Sequence, residues 1–285
     1  MPTLLDFRRR IRSVKNTQQI TRAMKFVAAA RLRRAQENAL AARPYARELA
    51  KMLRSIMGRI DEPQHPLLAA RAEERVLVIV LTGERGLAGA FNTNILKKAN
   101  EVFRANKGKK LSVIPVGKKG RDSLKRAGFE FAAEYVNVLA KVEFSTAREI
   151  ANLVAELYAK EAIDAVYIVF SEFKSVMSAN LTVQKLLPVE KMEAAEVDSE
   201  TGYIYEQPVE KLLDRLLPRY VETTVLRAML ESSASEYAAR MTAMESATKN
   251  AGEVIQGLTL HMNKVRQAAI TREIIEIVSG ASSTA

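Results

Sequence analysis

Two stretches at opposite ends of the chain repeat apolar residues in alternating steps of three and four. The first runs Leu4, Phe7, Ile11, Val14, then Ala28, Leu32, Ala35, Ala39, Ala42, Ala46, Leu49, Leu53, Ile56 and Ile60. The second runs Leu230, Ala234, Tyr237, Met241, Met244, Thr248, Ala251, Ile255, Leu258, Met262, Val265 and Ala269. A seam of this period belongs to a coiled-coil helix. At ~1.5 Å per residue the two helices would reach roughly 80 and 105 Å, more than a globular interior can enclose. Each therefore needs the other. About 150 residues of different texture separate them, which favours an intramolecular antiparallel pair over a homodimer. Many seam positions are alanine, so the backbones approach closely and length must supply the buried area. Pro44 lies off the seam and predicts a bend rather than a stop.

The intervening residues read as α/β. "RVLVIVLT" (75–82), "KKLSVIPVG" (109–117) and "AVYIVFSEF" (165–173) are continuous apolar runs, the pattern of strands covered on both faces. A helical stretch from Thr146 to Lys160 precedes the third. Strands alternating with helices predict a mostly parallel sheet. Residues 132–142 suggest a further short strand and turn, and 190–208 a polar excursion that includes a hairpin. The expected organisation is a helix over 1–60, an α/β domain over 61–208, and a helix over 209–285 that pairs with the first. Gly280 is the expected stop of the last helix, followed by a frayed "ASSTA".

Charge is distributed unevenly. The total is +11, yet residues 1–60 hold 15 Lys and Arg against Asp6, Glu37 and Glu48, so the rest of the chain is close to neutral. A field of one sign points to an acidic partner: nucleic acid, lipid headgroups or acidic protein loops. A nucleic-acid reading has nothing but this charge behind it, because no recognisable reading motif accompanies it. The chain has no Cys and only two His, His65 and His261, which leaves no disulfide, thiolate site or His-rich metal site. No apolar run approaches the roughly 20 residues of a membrane helix, and nothing resembles a signal peptide. The expected protein is soluble, or peripheral to something.

The one motif suggestive of chemistry is "TGERGLAGAFN" (82–92), a glycine-rich turn after the first strand. Its glycines are spaced by three, which is neither G-x-G-x-x-G nor a P-loop, and it reads as a tight strand-to-helix turn. No nucleophile arrangement is recognisable, so no catalytic residue is expected. Two other features are unusual. The first seam turns polar at Gln18, Thr21 and Lys25, while Ile20, Met24 and Val27 form an apolar stripe elsewhere on that helix. Either the register shifts there, as in a stutter, or an apolar face turns outward, with Met24 flanked by Arg22 and Lys25. At the other end, Ile270, Ile274, Ile277 and Val278 extend past anything the first helix can pair with. Such an end predicts a protein socket.

"RIRSVKNTQQITRAMKFVAAARLRRAQ" (10–36) and "AAITREIIEIVSGA" (268–281) resemble the two most characteristic segments of the gamma subunit of the F-type rotary ATP synthase, and "TGERGLAGAFNTN" resembles the first strand-loop of that family's middle domain. Ile270, Thr271, Glu273, Glu276, Gly280 and Ala281 follow the terminal signature. The resemblance spans essentially the whole chain. It implies a rotor shaft: a coiled coil inside a ring of three alpha and three beta subunits, with an α/β foot against epsilon and the membrane c-ring. It implies contact with the ring at Met24, Lys25 and Arg22, and on the last helix at Arg240, Arg266, Gln267, Thr271 and Glu273. It further implies no cofactor on this chain, with Mg-ATP and Mg-ADP held by the alpha and beta partners, no nucleic acid, one copy per complex, and a peripheral location on the cytoplasmic face of a bacterial cell membrane. Plant plastid members carry a regulatory cysteine pair; this chain has no Cys, so that redox switch is absent.

Overall fold

The computed structural model describes residues 3–57, 65–176, 178–189 and 208–283. Nine principal elements follow one another: α1 (Leu4–Met57), β1 (Arg75–Leu81), α2 (Phe91–Ala105), β2 (Lys110–Val116), α3 (Lys118–Arg126), α4 (Phe144–Ala159), β3 (Ala165–Phe173), β4 (Ala179–Leu187) and α5 (Val209–Ser283). Two compact units share them. One is residues 1–28 with 241–285; the other is residues 29–240. Each long helix contributes to both, because its inner part is committed to the core around the sheet.

In the first unit α1 and α5 run antiparallel. Phe7 stacks obliquely on His261 at 5.0 Å between ring centroids, and Thr21 meets Thr248. The seam holds throughout: Phe7, Ala28, Met244 and Ala251 are buried, and the seam positions between them are half-buried. The polar break is filled in register, so there is no stutter. The Gln18 amide donates to the Thr248 carbonyl at 3.3 Å, and Lys25 pairs with Glu245 at 2.5 Å. Gly252 makes room for this, since a Cβ there would lie 3.1 Å from the Gln18 amide nitrogen.

The second unit is built on a four-stranded sheet of order β2-β1-β3-β4. β1 is parallel to both neighbours, and β4 is antiparallel to β3. Alternate residues of β1 serve opposite faces. Leu77, Ile79 and Leu81 pack into a core with α4 and the inner parts of α1 and α5, while Val76, Val78 and Val80 pack under α2 and α3. This two-sided burial is why the strands read as unbroken apolar runs. Residues 29–57 of α1 keep their seam against α5: Leu32, Ala39, Leu49, Leu53 and Ile56 are buried, and the helix passes through Pro44 without ending.

Four sequence expectations are corrected or completed. Residues 131–135 form two isolated bridges to β2, at Phe131 and Tyr135, rather than a strand. β4 lacked a continuous apolar run because only Leu186 and Leu187 at its end are buried. Helix α5 continues through Gly280 to Ser283, because one glycine costs a helix only about 1 kcal/mol and nothing after it forces a turn. The hairpin expected over 190–208 falls largely on residues 190–207, outside the described ones.

Candidate functional site

On the first unit the outward faces carry the unusual chemistry. Since Thr21 and Lys25 keep the seam, the stripe beside it must point away: Ile20 is 59% exposed, Val27 54% and Phe26 62%. Met24 is half-buried and Arg22 exposed. A groove of about 890 Å³ lies alongside, walled by Gln19, Arg22, Lys25 and Phe26 from α1 and by Lys249 and Glu253 from α5. Arg22, Met24 and Lys25 are thus neighbours on one helix turn, but Lys25 is engaged by Glu245 rather than free. Further along α5, Arg266, Gln267, Thr271 and Glu273 are all exposed. Around them Ile270, Ile274, Ile275, Ile277 and Val278 are 48–72% exposed. Large apolar side chains presented together on a lone helix mark a surface that another protein covers.

Arg240, the remaining predicted contact, belongs to the second unit and is enclosed there. Its side chain is 11% exposed. One nitrogen is hydrogen-bonded to the Glu236 carboxylate, and another donates to the Gly86 carbonyl at 2.5 Å. Burial pushes the Glu236 carboxyl above its ordinary range, while the adjacent Arg240 guanidinium pulls it back.

The surroundings of Arg240 were not legible beforehand. Every residue of α5 from Ala228 to Ala238 is buried, three turns of helix covered on all sides. Glu231 accepts from both the Arg43 Nε and Nη2 of α1, at 3.1 and 2.9 Å, and from the Phe173 backbone N–H at the end of β3, at 3.2 Å. Ser235 meets Ser171 of β3, hydroxyl to hydroxyl at 2.6 Å, and Ser233 donates to the Leu139 carbonyl at 3.1 Å. Glu236 lies so close to the loop after β1 that a Cβ on Gly83 would be 2.9 Å from its carboxyl carbon. The visible signal was "ESSASE" (231–236): three serines and an alanine between two carboxylates, where a surface helix would carry longer side chains.

This places α5 at the carboxyl ends of β1 and β3, where open α/β sheets ordinarily receive a ligand. The loop is also tied down by hydrogen bonds within the chain. The Gly83 N–H donates to Asn92 Oδ1 at 2.8 Å, the Gly120 N–H to Thr82 Oγ1 at 2.7 Å, and the Lys118 and Val138 N–H groups to the Glu84 carboxylate. The glycine-rich turn serves packing. Among the described residues no group of His, Cys, Asp and Glu could hold a metal ion, and no helix is long and apolar enough to cross a membrane.

A profile of the family described as ATP synthase matches residues 3–284. The ATP synthase gamma chain of Solibacter usitatus is 51% identical over 287 residues, covering 99% of both chains. That of Geobacter metallireducens is 48% identical over 285 residues, again 99% of each. Among solved structures, a chain of the central stalk and c-ring of the Tetrahymena thermophila mitochondrial ATP synthase is 28% identical, with TM-score 0.62, over 80% of this chain and 99% of that one. A rotor chain from Euglena gracilis, 22% identical with TM-score 0.66 over 94% and 98% of the two chains, shares the fold.

Proposed function

The chain belongs to the ATP synthase gamma-chain family, and from that premise we propose that it is the shaft around which one complex of alpha, beta, epsilon and c-ring subunits is coupled. It carries rotation of the c-ring to the catalytic beta subunits. The chain makes no bond itself; Mg-ATP and Mg-ADP are handled by the alpha and beta partners. Its asymmetric surface presents a different face to each beta subunit at each angle. That moves each subunit among its states only through differential affinity, since a shaft equally attractive to every state would shift nothing.

The observation that carries this reading is the exposed apolar end of α5, Ile270 to Val278, which suits a protein collar and little else. Arg22, Met24 and Lys25 on α1, and Arg266, Gln267, Thr271 and Glu273 on α5, are the residues assigned to the ring. Contacts of positive charge with acidic loops tolerate small displacements better than interlocked packing does, which suits a surface that must slide. Arg240, enclosed beside Glu236, takes part by holding the loop at Gly86 rather than by touching the ring. The complex, and with it this chain, sits peripherally on the cytoplasmic face of a bacterial cell membrane.

Co-purification tests the reading. A tag on an exposed loop between β3 and β4, native membranes and a mild detergent should yield alpha and beta in threefold excess over this chain, with ATPase activity. Recovery of the chain alone, or with nucleic acid released by salt, overturns it.

A further inference from the structure

A shaft is useful only if its foot cannot slip on it. We infer that Glu231 and Glu236 are the two keys that lock helix α5 into the α/β domain, so that torque applied to the domain turns the helix; this rests on the shaft reading above.

The three buried turns of α5 are gripped from several directions, and the grip is polar and directional. Glu231, 3% exposed, joins α5 to α1 through Arg43 and to β3 through the Phe173 N–H. Five residues on, Glu236, 6% exposed, sits against Gly83 and, through Arg240, holds the Gly86 carbonyl. At 100° per residue, five residues place the two carboxylates well apart around the helix, on different sides of its axis. Ser232, Ser233, Ala234 and Ser235 have small side chains that interlock less than large ones, so packing there sets no sharp preferred angle. Charged hydrogen bonds inside a low-dielectric site do have one, and leaving such a donor unpaired is costly. Between the keys, Ser235 and Ser171 touch at 2.6 Å, and small side chains keep the clearance low. The arrangement works as a splined joint: the small residues give the fit, and the carboxylates prevent rotation.

The test uses the assembled complex in proteoliposomes, reading protons pumped per ATP hydrolysed. The double variant Glu231→Ala with Glu236→Ala should still assemble and hydrolyse ATP, but pump at least about threefold fewer protons per ATP. The chain has no native Cys. Adding Ser171→Cys and Ser235→Cys to the double variant lets an oxidised bridge replace the keys, since a ~2 Å S–S bond suits that spacing. Oxidation should restore pumping and reduction should abolish it again. If the double variant does not assemble, Glu236→Gln, which keeps shape and loses charge, takes its place with the same expectation. Normal coupling in an assembled variant, or a formed bridge that restores nothing, overturns the keys. A wild-type complex that does not pump at all would instead overturn the shaft reading.

Discussion

Thr21 of α1 and Thr248 of α5 meet with their hydroxyl oxygens 2.8 Å apart, at the point where the seam between the two helices turns from apolar to polar. The pair keeps the helices in register through a stretch that hydrophobic burial does not specify. Thr248→Val should cost the chain about 1 kcal/mol, the net worth of one hydrogen bond. Thr21→Val with Thr248→Val should cost less than the two single changes summed, because neither hydroxyl is left facing an apolar neighbour. A double-mutant cycle by thermal unfolding, with a coupling energy of about 0.5 kcal/mol or more, is the expected outcome. Strict additivity would mean the hydroxyls are independently solvated.

Lys25 and Glu245 form an ion pair whose side chains are 33% and 59% exposed. At that exposure the attraction is screened, so Lys25→Met should change stability by no more than about 1 kcal/mol, and by less still at high salt. Unfolding in urea at two ionic strengths checks this. A markedly larger, salt-independent loss would mark the pair as structural.

Deleting residues 270–285 should leave the chain's unfolding free energy within about 0.5 kcal/mol of the original, because the large side chains from Ile270 to Val278 are exposed. Retention by the alpha–beta ring in a pull-down should fall. A drop in the stability of the isolated chain would show that this end packs on the chain itself.

Gly117 has φ +107°, and a Cβ there would stand 1.9 Å from the Thr82 carbonyl oxygen. Gly117→Ala should therefore cost about 3 kcal/mol or more, combining backbone strain with a clash against main chain that cannot move away. Gly128, at φ +81° with open space around it, provides the control. Gly128→Ala should cost only about 1 kcal/mol. Equal losses in chemical denaturation would refute the steric argument.

Asp164 lies 3% exposed at the start of β3 and accepts two side-chain hydrogen bonds from Arg75, at 2.6 and 3.0 Å, and one from the Arg75 N–H, at 2.8 Å. The Arg75 side chain holds its carboxyl down at about 2, from an ordinary value of 3.8, against the opposing effect of burial. A carboxylate lowered in the folded state stabilises fully above its unfolded value, and the benefit fades as pH falls through the folded one. The stability gap between wild type and Asp164→Asn should be widest at neutral pH and close between pH 3.8 and about 2. A gap that stays constant across that window would remove Asp164 from the acid transition.

Period and run length made most of the fold legible. The three-four alternation identifies the α1 and α5 seams almost residue for residue, because a helix pair buries one face and leaves the others wet. The continuous run from Arg75 to Leu81 identifies a strand covered on both sides. What escaped had weaker local signals. β4 is half-exposed along most of its length, so no apolar run announces it. At the candidate site, the exposure of Ile20 and Val27 followed from deciding that polar residues could occupy the seam, and the sequence left that choice open. The enclosure of Ala228 to Ala238 was hidden for a different reason. Serines and glutamates read as solvent-facing until the partners Ser171, Phe173 and Arg43, remote in the chain, are seen beside them.

The crevice at the carboxyl ends of β1 and β3 is filled by the chain's own helix, with the Glu236 carboxylate lying against Gly83 where a bound anion would otherwise rest. Because the occupant belongs to the same chain, its effective concentration in the crevice does not vary with any dissolved ligand. The geometry at this end of the sheet is therefore set by folding alone.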